Sequence, residues 1–415
     1  MEFSLDRGNN EYAGWTVFTG DNGAGKSTLL KAIAIGLKGK DVGRVLQGSF
    51  NRWIAEGEKT GSIELILVRT KGDDTSVTAG ATGAIKFPAK LSFSLGERET
   101  SLESVLPPNK PASYKTPDRT IWTPESTGWF SCGYGPFRRV FGASPEATRS
   151  MVSSLTESYV TMFQEAASLA EVDTWMRELK HKSLEGKKEE AAQLDLLLRI
   201  LSDDLLPNQM TINRVDSDGL WLKDAVGLEL AWSEMSDGYR AALALLADIL
   251  RHLINAYGIE GLTDVNSEGR TFIKRSGVVL IDEIDAHLHP EWQQKMGFWL
   301  TSHFPNIQFI VTTHSPMILQ AAGRNGIFHL PAPGSGEEAY ALSVQDYEKI
   351  IASRPDTILL TPAFGLTNTR SPFAVDSRAE YSKIKSKQKA GAELTSEESK
   401  KLVQLQLFVS NDEEL

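Results

Sequence analysis

The sequence predicts an α/β fold built on a mostly parallel sheet, with an antiparallel β subdomain and a helical insertion, and three observations carry that prediction. First, Gly20-Asp21-Asn22-Gly23-Ala24-Gly25-Lys26-Ser27-Thr28 fits the pattern G-x-x-x-x-G-K-[ST]. In such a loop, glycines let backbone N–H groups curl around phosphates, a lysine reaches the β/γ oxygens, and a hydroxyl joins the shell of a Mg²⁺. Second, the loop stands between the β-branched run Trp15 to Thr19 and the helix-forming stretch Leu29 to Leu37, so a helix N-terminus faces the anion. Third, two very apolar runs, Gly277 to Ile281 and Ile307 to Val311, each end in polar residues and flank an amphipathic stretch from Pro290 to His303. Strands alternating with helices, with polar groups at the strand ends, describe a sheet whose site lies at its carboxyl edge.

Taken in order, the chain leaves room for one further strand, Phe3 to Leu5, ahead of Trp15. That is short for a nucleotide-binding domain, so either an edge strand is lost or the true start lies upstream. Ser62 to Arg69 and Lys90 to Leu95 read as strands, and Pro107-Pro108-Asn109-Lys110-Pro111 as loop. Thr127 to Gly135 reads as a strand closed by a glycine turn, followed by Arg138-Arg139. From Ser144, apolar residues recur at three- and four-residue spacing, among them Met151, Leu155, Tyr159, Met162, Trp175, Leu179, Leu194, Leu197 and Leu201. This predicts helices up to Pro207, with heptads too few for a long coiled-coil arm. Strand-like sequence returns at Gln209 to Arg214 and Gly219 to Leu222, and Trp232 to Arg240 opens an Ala/Leu-rich helix running to about Tyr257. Gly261 to Arg270 reads as a polar loop. Beyond Ala332 the chain is less apolar, with helical patterns at Asp346 to Ala352 and Ala379 to about Val409.

A formal charge of -10 over 415 residues argues against a chain that coats nucleic acid generally, although a local basic face can still meet DNA. The densest such run is Lys383, Lys385, Lys387 and Lys389, for which a solvated helix face is the default. A single cysteine, Cys132, permits neither an intrachain disulfide nor a Cys-based zinc site and fits a reducing compartment. Met1 to Arg7 lacks the apolar core of a signal peptide, and no run approaches bilayer-spanning length, so the sequence reads as cytoplasmic, with no membrane partner.

Asp282-Glu283, closing the most apolar strand, supplies what a nucleotide site still needs: one carboxylate for Mg²⁺ and one to orient or deprotonate water. His314 follows the next strand, where a neutral imidazole could contact the γ-phosphate or the water. His287 and His289 beside Asp285 do not make a metal site, because two ligands are too few, and packing at an interface is the better reading. Arg138-Arg139 is read either as a phosphate or DNA contact or as a solvated, salt-bridged pair.

In this order, the phosphate loop, Met235 to Arg240 at a helix start, the strand Val278 to Glu283, Asp285, and Thr313-His314-Ser315-Pro316 resemble the motif set of ABC-type ATPase heads: Walker A, signature, Walker B, D-loop and switch histidine. The resemblance implies that two heads sandwich two ATP molecules. Gly20, Asn22, Gly23, Ala24, Gly25, Lys26, Ser27 and Thr28 would cradle ATP, with Lys26 gripping the phosphates, Ser27 and Asp282 the metal, Glu283 the water and His314 the γ-phosphate. Ser236 and Gly238 would meet the ATP of the opposite subunit. A helix start there is an anion site with no phosphate of its own chain to bind, although serine is also a preferred cap. Lys26 and Ser236 lie 210 residues apart, wider than in transporter subunits, and Ile284 to Pro290 with Thr313 to Pro316 resemble the RecF, SMC and OLD-nuclease branch instead.

Two departures limit the match. No Q-loop glutamine is placed, Gly133 to Arg139 occupying its expected region, and no acidic Asp-x-Asp cluster follows the switch histidine as a Toprim nuclease needs. The chain is thus similar to ATPase subunits of bacterial anti-phage systems such as Septu. The partners this implies are a second head, as a homodimer or higher oligomer, a separate nuclease subunit, and DNA. Rival readings are a low-turnover ATP-binding scaffold that recruits a nuclease, a RecF-like DNA repair ATPase, and a transporter ATPase. The expected division is 1–143 for the N-terminal part of the head, 144–208 for the helical insertion, 209–345 for the C-terminal part and 346–415 for a helical tail.

Overall fold

The apolar runs that end in polar residues lie side by side in one sheet. The computed structural model describes residues 1–73, 85–105, 116–123, 128–138, 140, 153, 155–206 and 210–406. Its strands are β1 (Gly14–Gly20), β2 (Thr60–Val68), β3 (Lys86–Leu95), β4 (Thr100–Ser104), β5 (Ser131–Tyr134), β6 (Thr211–Asp216), β7 (Gly219–Lys223), β8 (Glu229–Ala231), β9 (Thr263–Val265), β10 (Thr271–Ile273), β11 (Gly277–Ile281), β12 (Ile307–Thr312), β13 (Ile327–Leu330) and β14 (Tyr340–Ala341). The longer helices are α1 (Lys26–Leu46), α2 (Ala170–Leu184), α3 (Lys188–Leu201), α4 (Asp237–Tyr257), α5 (Pro290–His303), α6 (Val344–Ala352), α7 (Pro372–Lys389) and α8 (Ser396–Gln406).

The central sheet runs β14-β13-β1-β12-β11-β5, parallel except for the antiparallel edge strand β14. Its register pairs Val17 with Val311, Ile281 with Val311, and Ile281 with Tyr134, so the carboxyl ends of β1, β12, β11 and β5 are level. Because successive side chains point to opposite faces, each strand feeds two cores. Val17, Cys132, Val279, Ile281 and Phe309 pack with α4 and α5 on one face, while Phe18, Leu280, Ile310 and Phe328 pack against Leu30, Ala34 and Leu37 of α1 on the other. The antiparallel sheet β2-β3-β4 lies over α1, with Leu65 against Gly36. α1 runs further than its apolar stretch, past a kink at Gly39 (φ 80), where a Cβ would stand 2.6 Å from the Trp122 indole.

Three expectations are corrected, and one strand is new. Phe3 to Leu5 form no strand, because both edges of β1 are taken by β12 and β13; Phe3 instead packs edge-on over Phe18 and Phe328, with ring centroids 5.2 and 5.6 Å apart. Gly261 to Arg270 is no plain loop, since β9 pairs with β10 and the Asn266 side chain accepts from the Glu268 and Arg270 amides at the turn. The short run Ile327–Leu330 is a strand of the central sheet, its four residues too few to register as one in the sequence. The charged stretch near the end starts earlier, at Pro372, and breaks at Gly391 (φ 78) into α7 and α8. Pro107 to Pro111, Thr127, Arg139, Met151, Pro207, Gln209 and Val409 lie outside the described residues.

Candidate active site

At the end of β1 the chain turns through Gly20 (φ 141), Gly23 (φ 82) and Gly25 (φ 91), a left-handed sequence that side chains resist. At Gly20 a Cβ would also overlap the Leu330 carbonyl oxygen of neighbouring β13. At Gly23 and Gly25, by contrast, nothing stands within 4 Å of where a Cβ would be, so the mouth of the loop is open. Asn22 and Thr28 are exposed, Ala24 is buried, and Ser27 is half-buried at the first turn of α1. Lys26 is only 6% exposed. Its Nζ donates to the carbonyls of Gly20 at 2.7 Å and Asp21 at 2.9 Å. Burial pushes the ammonium below its ordinary pKa, opposed by the attraction of Glu283, Asp282, Asp21 and Asp285, which brings the two halves of the predicted site into one electrostatic neighbourhood.

β11 delivers Asp282 and Glu283 to the same edge. Asp282 is buried, its N–H donating to the Tyr134 carbonyl at 2.8 Å. The Thr312 hydroxyl, at the end of the intervening strand, joins the two acids: it donates to Asp282 Oδ1 at 2.5 Å and accepts from the Glu283 N–H at 2.7 Å. Glu283 takes a left-handed φ of 45 and His287 one of 65, a strained turn for residues with side chains. Asp285 receives the Thr313 hydroxyl at 2.5 Å and the His314 N–H at 3.3 Å, so this aspartate sets the backbone from which the exposed His314 projects.

The predicted signature stands where α4 begins. Ser236 is exposed at the N-cap position in extended conformation, and its side chain makes no cap hydrogen bond. Gly238 rests on the turn after Asp285, and a Cβ there would overlap the His287 carbonyl oxygen. His289 is the N-cap of α5, its Nδ1 accepting from the Glu291 N–H at 3.4 Å.

Arg138 corrects the sequence reading. It is neither solvated nor turned to an outside phosphate but 5% exposed, with Nη1 donating to the carbonyls of Gly135 and Asp282, each at 2.9 Å. Nη2 donates to the carbonyls of Glu283 at 3.1 Å, Ile284 at 3.3 Å and Ala286 at 3.4 Å. Burial pushes the guanidinium down to about 10, against the pull of Asp285, Asp282 and Glu283. Thr312 and this role of Arg138 were missed. The signal for Thr312 was the threonine pair closing β12 beside two acids; none announces that an arginine will serve backbone carbonyls.

The donor set fits Mg²⁺ held through a nucleotide. Ser27 offers a hydroxyl and Asp282 a carboxylate aimed by Thr312, and this ion is commonly bound by one or two carboxylates plus substrate phosphates. Among the described residues no group of three or more His, Cys, Asp or Glu could hold a metal unaided.

A phosphate loop and a carboxylate pair at one edge of a mostly parallel sheet define the class: a P-loop ATPase domain. Residues 15–320 match the family described as "AAA domain, putative AbiEii toxin, Type IV TA system", and the chain belongs to that family. It is 25% identical over 327 residues to "Septu protein PtuA" of Bacillus mycoides (strain KBAB4), covering 77% of this chain and 36% of that protein. With "Septu protein PtuA" of Bacillus thuringiensis the identity is 28% over 183 residues, 43% of each chain. A shorter stretch of 93 residues is 42% identical to the "Retron Vc95 probable ATPase" of Vibrio cholerae, covering 22% of this chain and 16% of that one. The chain therefore spans less than half the length of these curated relatives. Among solved structures, the SMC head domain from Thermotoga maritima aligns with a TM-score of 0.42 at 14% identity, over 83% of this chain and 93% of that one. The likeness to Septu ATPases, inferred from an ATPase head with no acidic cluster after His314, is borne out by the two Septu relatives. Among the described residues no helix is long and apolar enough to cross a membrane.

Proposed function

We propose that this chain is a Mg²⁺-dependent ATPase head in which ATP closes a dimer of heads, hydrolysis reopens it, and closure controls a separate nuclease or DNA-acting partner in anti-phage defence. Ser236 carries the reading. Its hydroxyl is exposed and unused in capping, on a helix start whose Gly238 leans on the turn that holds Glu283. A helix N-terminus left open in this way suits the γ-phosphate of a nucleotide held by a second copy. The names of the Septu and retron relatives agree with a defence setting.

On nucleotide binding, the Lys26 ammonium moves from the Gly20 and Asp21 carbonyls to the β/γ oxygens, and the N–H groups of Asn22 to Thr28 cradle the phosphates. Ser27 and Asp282 would hold Mg²⁺, which when bound would neutralise charge on the phosphate oxygens. Glu283 accepts the proton of the attacking water, a role that contributes about 10²–10⁴-fold in rate. His314, its backbone fixed by Asp285, faces the γ-phosphate. In this reading 1–143 and 209–345 form the head, 144–208 an insertion and 346–415 a helical tail.

Light scattering on the Glu283→Gln variant tests the dimer, with ATP expected to double the mass and ADP to leave it unchanged. A monomer at saturating ATP refutes head closure. Phosphate release with and without DNA tests the DNA arm, and an unchanged rate removes DNA as an effector.

A further inference from the structure

We infer that Arg138 is a positioning residue for hydrolysis: its buried guanidinium clamps the turn Asp282 to Ala286 so that the Glu283 carboxylate and the α4 start are held in fixed register. The inference rests on the ATPase reading above and goes beyond it, because no motif of the chain assigns a role to this arginine.

The geometry is specific. A guanidinium carries five N–H donors in a rigid fork; the four on the two Nη groups of Arg138 lie against five backbone carbonyls, so that one Nη2 N–H is shared, and among the described residues no carboxylate pairs with it. Four of those carbonyls belong to residues between Asp282 and Ala286, which begin with the metal carboxylate and enter the D-loop. The turn they form holds Glu283 at a φ of 45 and leads to His287 at 65. Each such side-chain-bearing residue costs on the order of 1–3 kcal/mol and persists only where its surroundings over-determine it. Thr312 fixes the front of the turn through the Glu283 N–H; the clamp fixes its back. The fifth carbonyl, of Gly135, ties the turn to the segment following β5.

The far end of the clamp reaches the second site. Ala286 precedes His287, whose carbonyl oxygen abuts Gly238 at the start of α4. One side chain thus braces both the water-activating carboxylate and the surface offered to the other head. At 5% exposure it is screened from nucleotide, so its effect passes through the turn.

The test measures kcat, KM and the Kd of a fluorescent ATP analogue for the parent, Arg138→Lys and Arg138→Gln, with far-UV circular dichroism as the fold control. Lysine keeps the charge but offers three donors without the planar fork. Misplacing a catalytic group by about 1 Å costs on the order of a hundredfold, so kcat is expected to fall tenfold to a hundredfold in both variants. Kd and the circular dichroism spectrum are expected to stay within about twofold of the parent, and lysine to recover part of the loss seen with glutamine. Unchanged kcat in either variant overturns the clamp. So does loss of secondary structure or of nucleotide affinity together with turnover, since Arg138 would then serve the fold or the phosphate site. A parent that binds nucleotide but releases no phosphate sinks the ATPase reading itself. In that case amide exchange at Glu283 to Ala286 decides the clamp separately: faster exchange in Arg138→Gln supports it, and equal exchange rejects it.

Discussion

Replacing Thr312 by valine keeps the shape of the side chain and removes the hydroxyl that joins Asp282 to Glu283. Two hydrogen bonds are lost. The 2.5 Å bond to the Asp282 carboxylate is charge-assisted, worth about 1.5–3 kcal/mol, and the orphaned Glu283 N–H adds about 1–3 kcal/mol of unmet desolvation. With partial relaxation the loss is about 2–4 kcal/mol. If about half of it falls on the transition state, turnover drops about tenfold, since each 1.36 kcal/mol is a factor of ten. The assay pairs urea denaturation followed by circular dichroism with steady-state phosphate release. Thr312→Ser, which retains the hydroxyl, should stay within about 1 kcal/mol and about threefold of the parent. A valine variant with the parent's denaturation midpoint and turnover refutes the assignment of Thr312 as the brace of the carboxylate pair.

Two further predictions concern surrounding structure. Gly238→Ala drives a Cβ into the His287 carbonyl oxygen and should abolish ATP-dependent dimerisation while leaving nucleotide affinity within about threefold, measurable by light scattering and titration; dimerisation at the parent's ATP concentration contradicts this. Asp248, buried in α4, accepts from Tyr134 Oη at 3.0 Å and Arg251 Nε at 2.9 Å. Burial alone would raise its carboxyl, but His252 and Arg251 more than offset this and hold it below the usual carboxylate range. A depressed folded pKa means the stabilisation is complete above the ordinary carboxylate range and fades as pH falls through the lowered value. Asp248→Asn should therefore cost about 3–5 kcal/mol at neutral pH and flatten the fall in stability below about pH 4. Denaturation midpoints measured from pH 7 downward check both: equal stability at pH 7 refutes the first, and parallel curves for parent and variant refute the second.

The site was largely legible because its parts carry strong local signals. A glycine-rich loop needs left-handed φ at set positions, and Gly20, Gly23 and Gly25 supply them. A buried parallel strand needs an unbroken apolar run, and Gly277 to Ile281 ends at Asp282 as expected. What escaped notice depends on partners distant in sequence. Phe3 looks like a strand residue until β12 and β13 occupy both edges of β1. Arg138 looks like a surface cation, since only folding brings it to carbonyls that lie 144 to 148 residues further along the chain. Thr312 reads as the ordinary end of a strand until β11 places two acids beside it.

The central claim, that ATP bound at Lys26 is hydrolysed with Glu283 as base, is tested most directly by phosphate release from the parent, Glu283→Gln and Lys26→Ala, alongside titration of each with ATP. The account predicts Mg²⁺-dependent release by the parent, retained ATP binding with release reduced about a hundredfold or more in Glu283→Gln, and lost binding in Lys26→Ala. A Glu283→Gln variant that hydrolyses ATP at the parent's rate contradicts it.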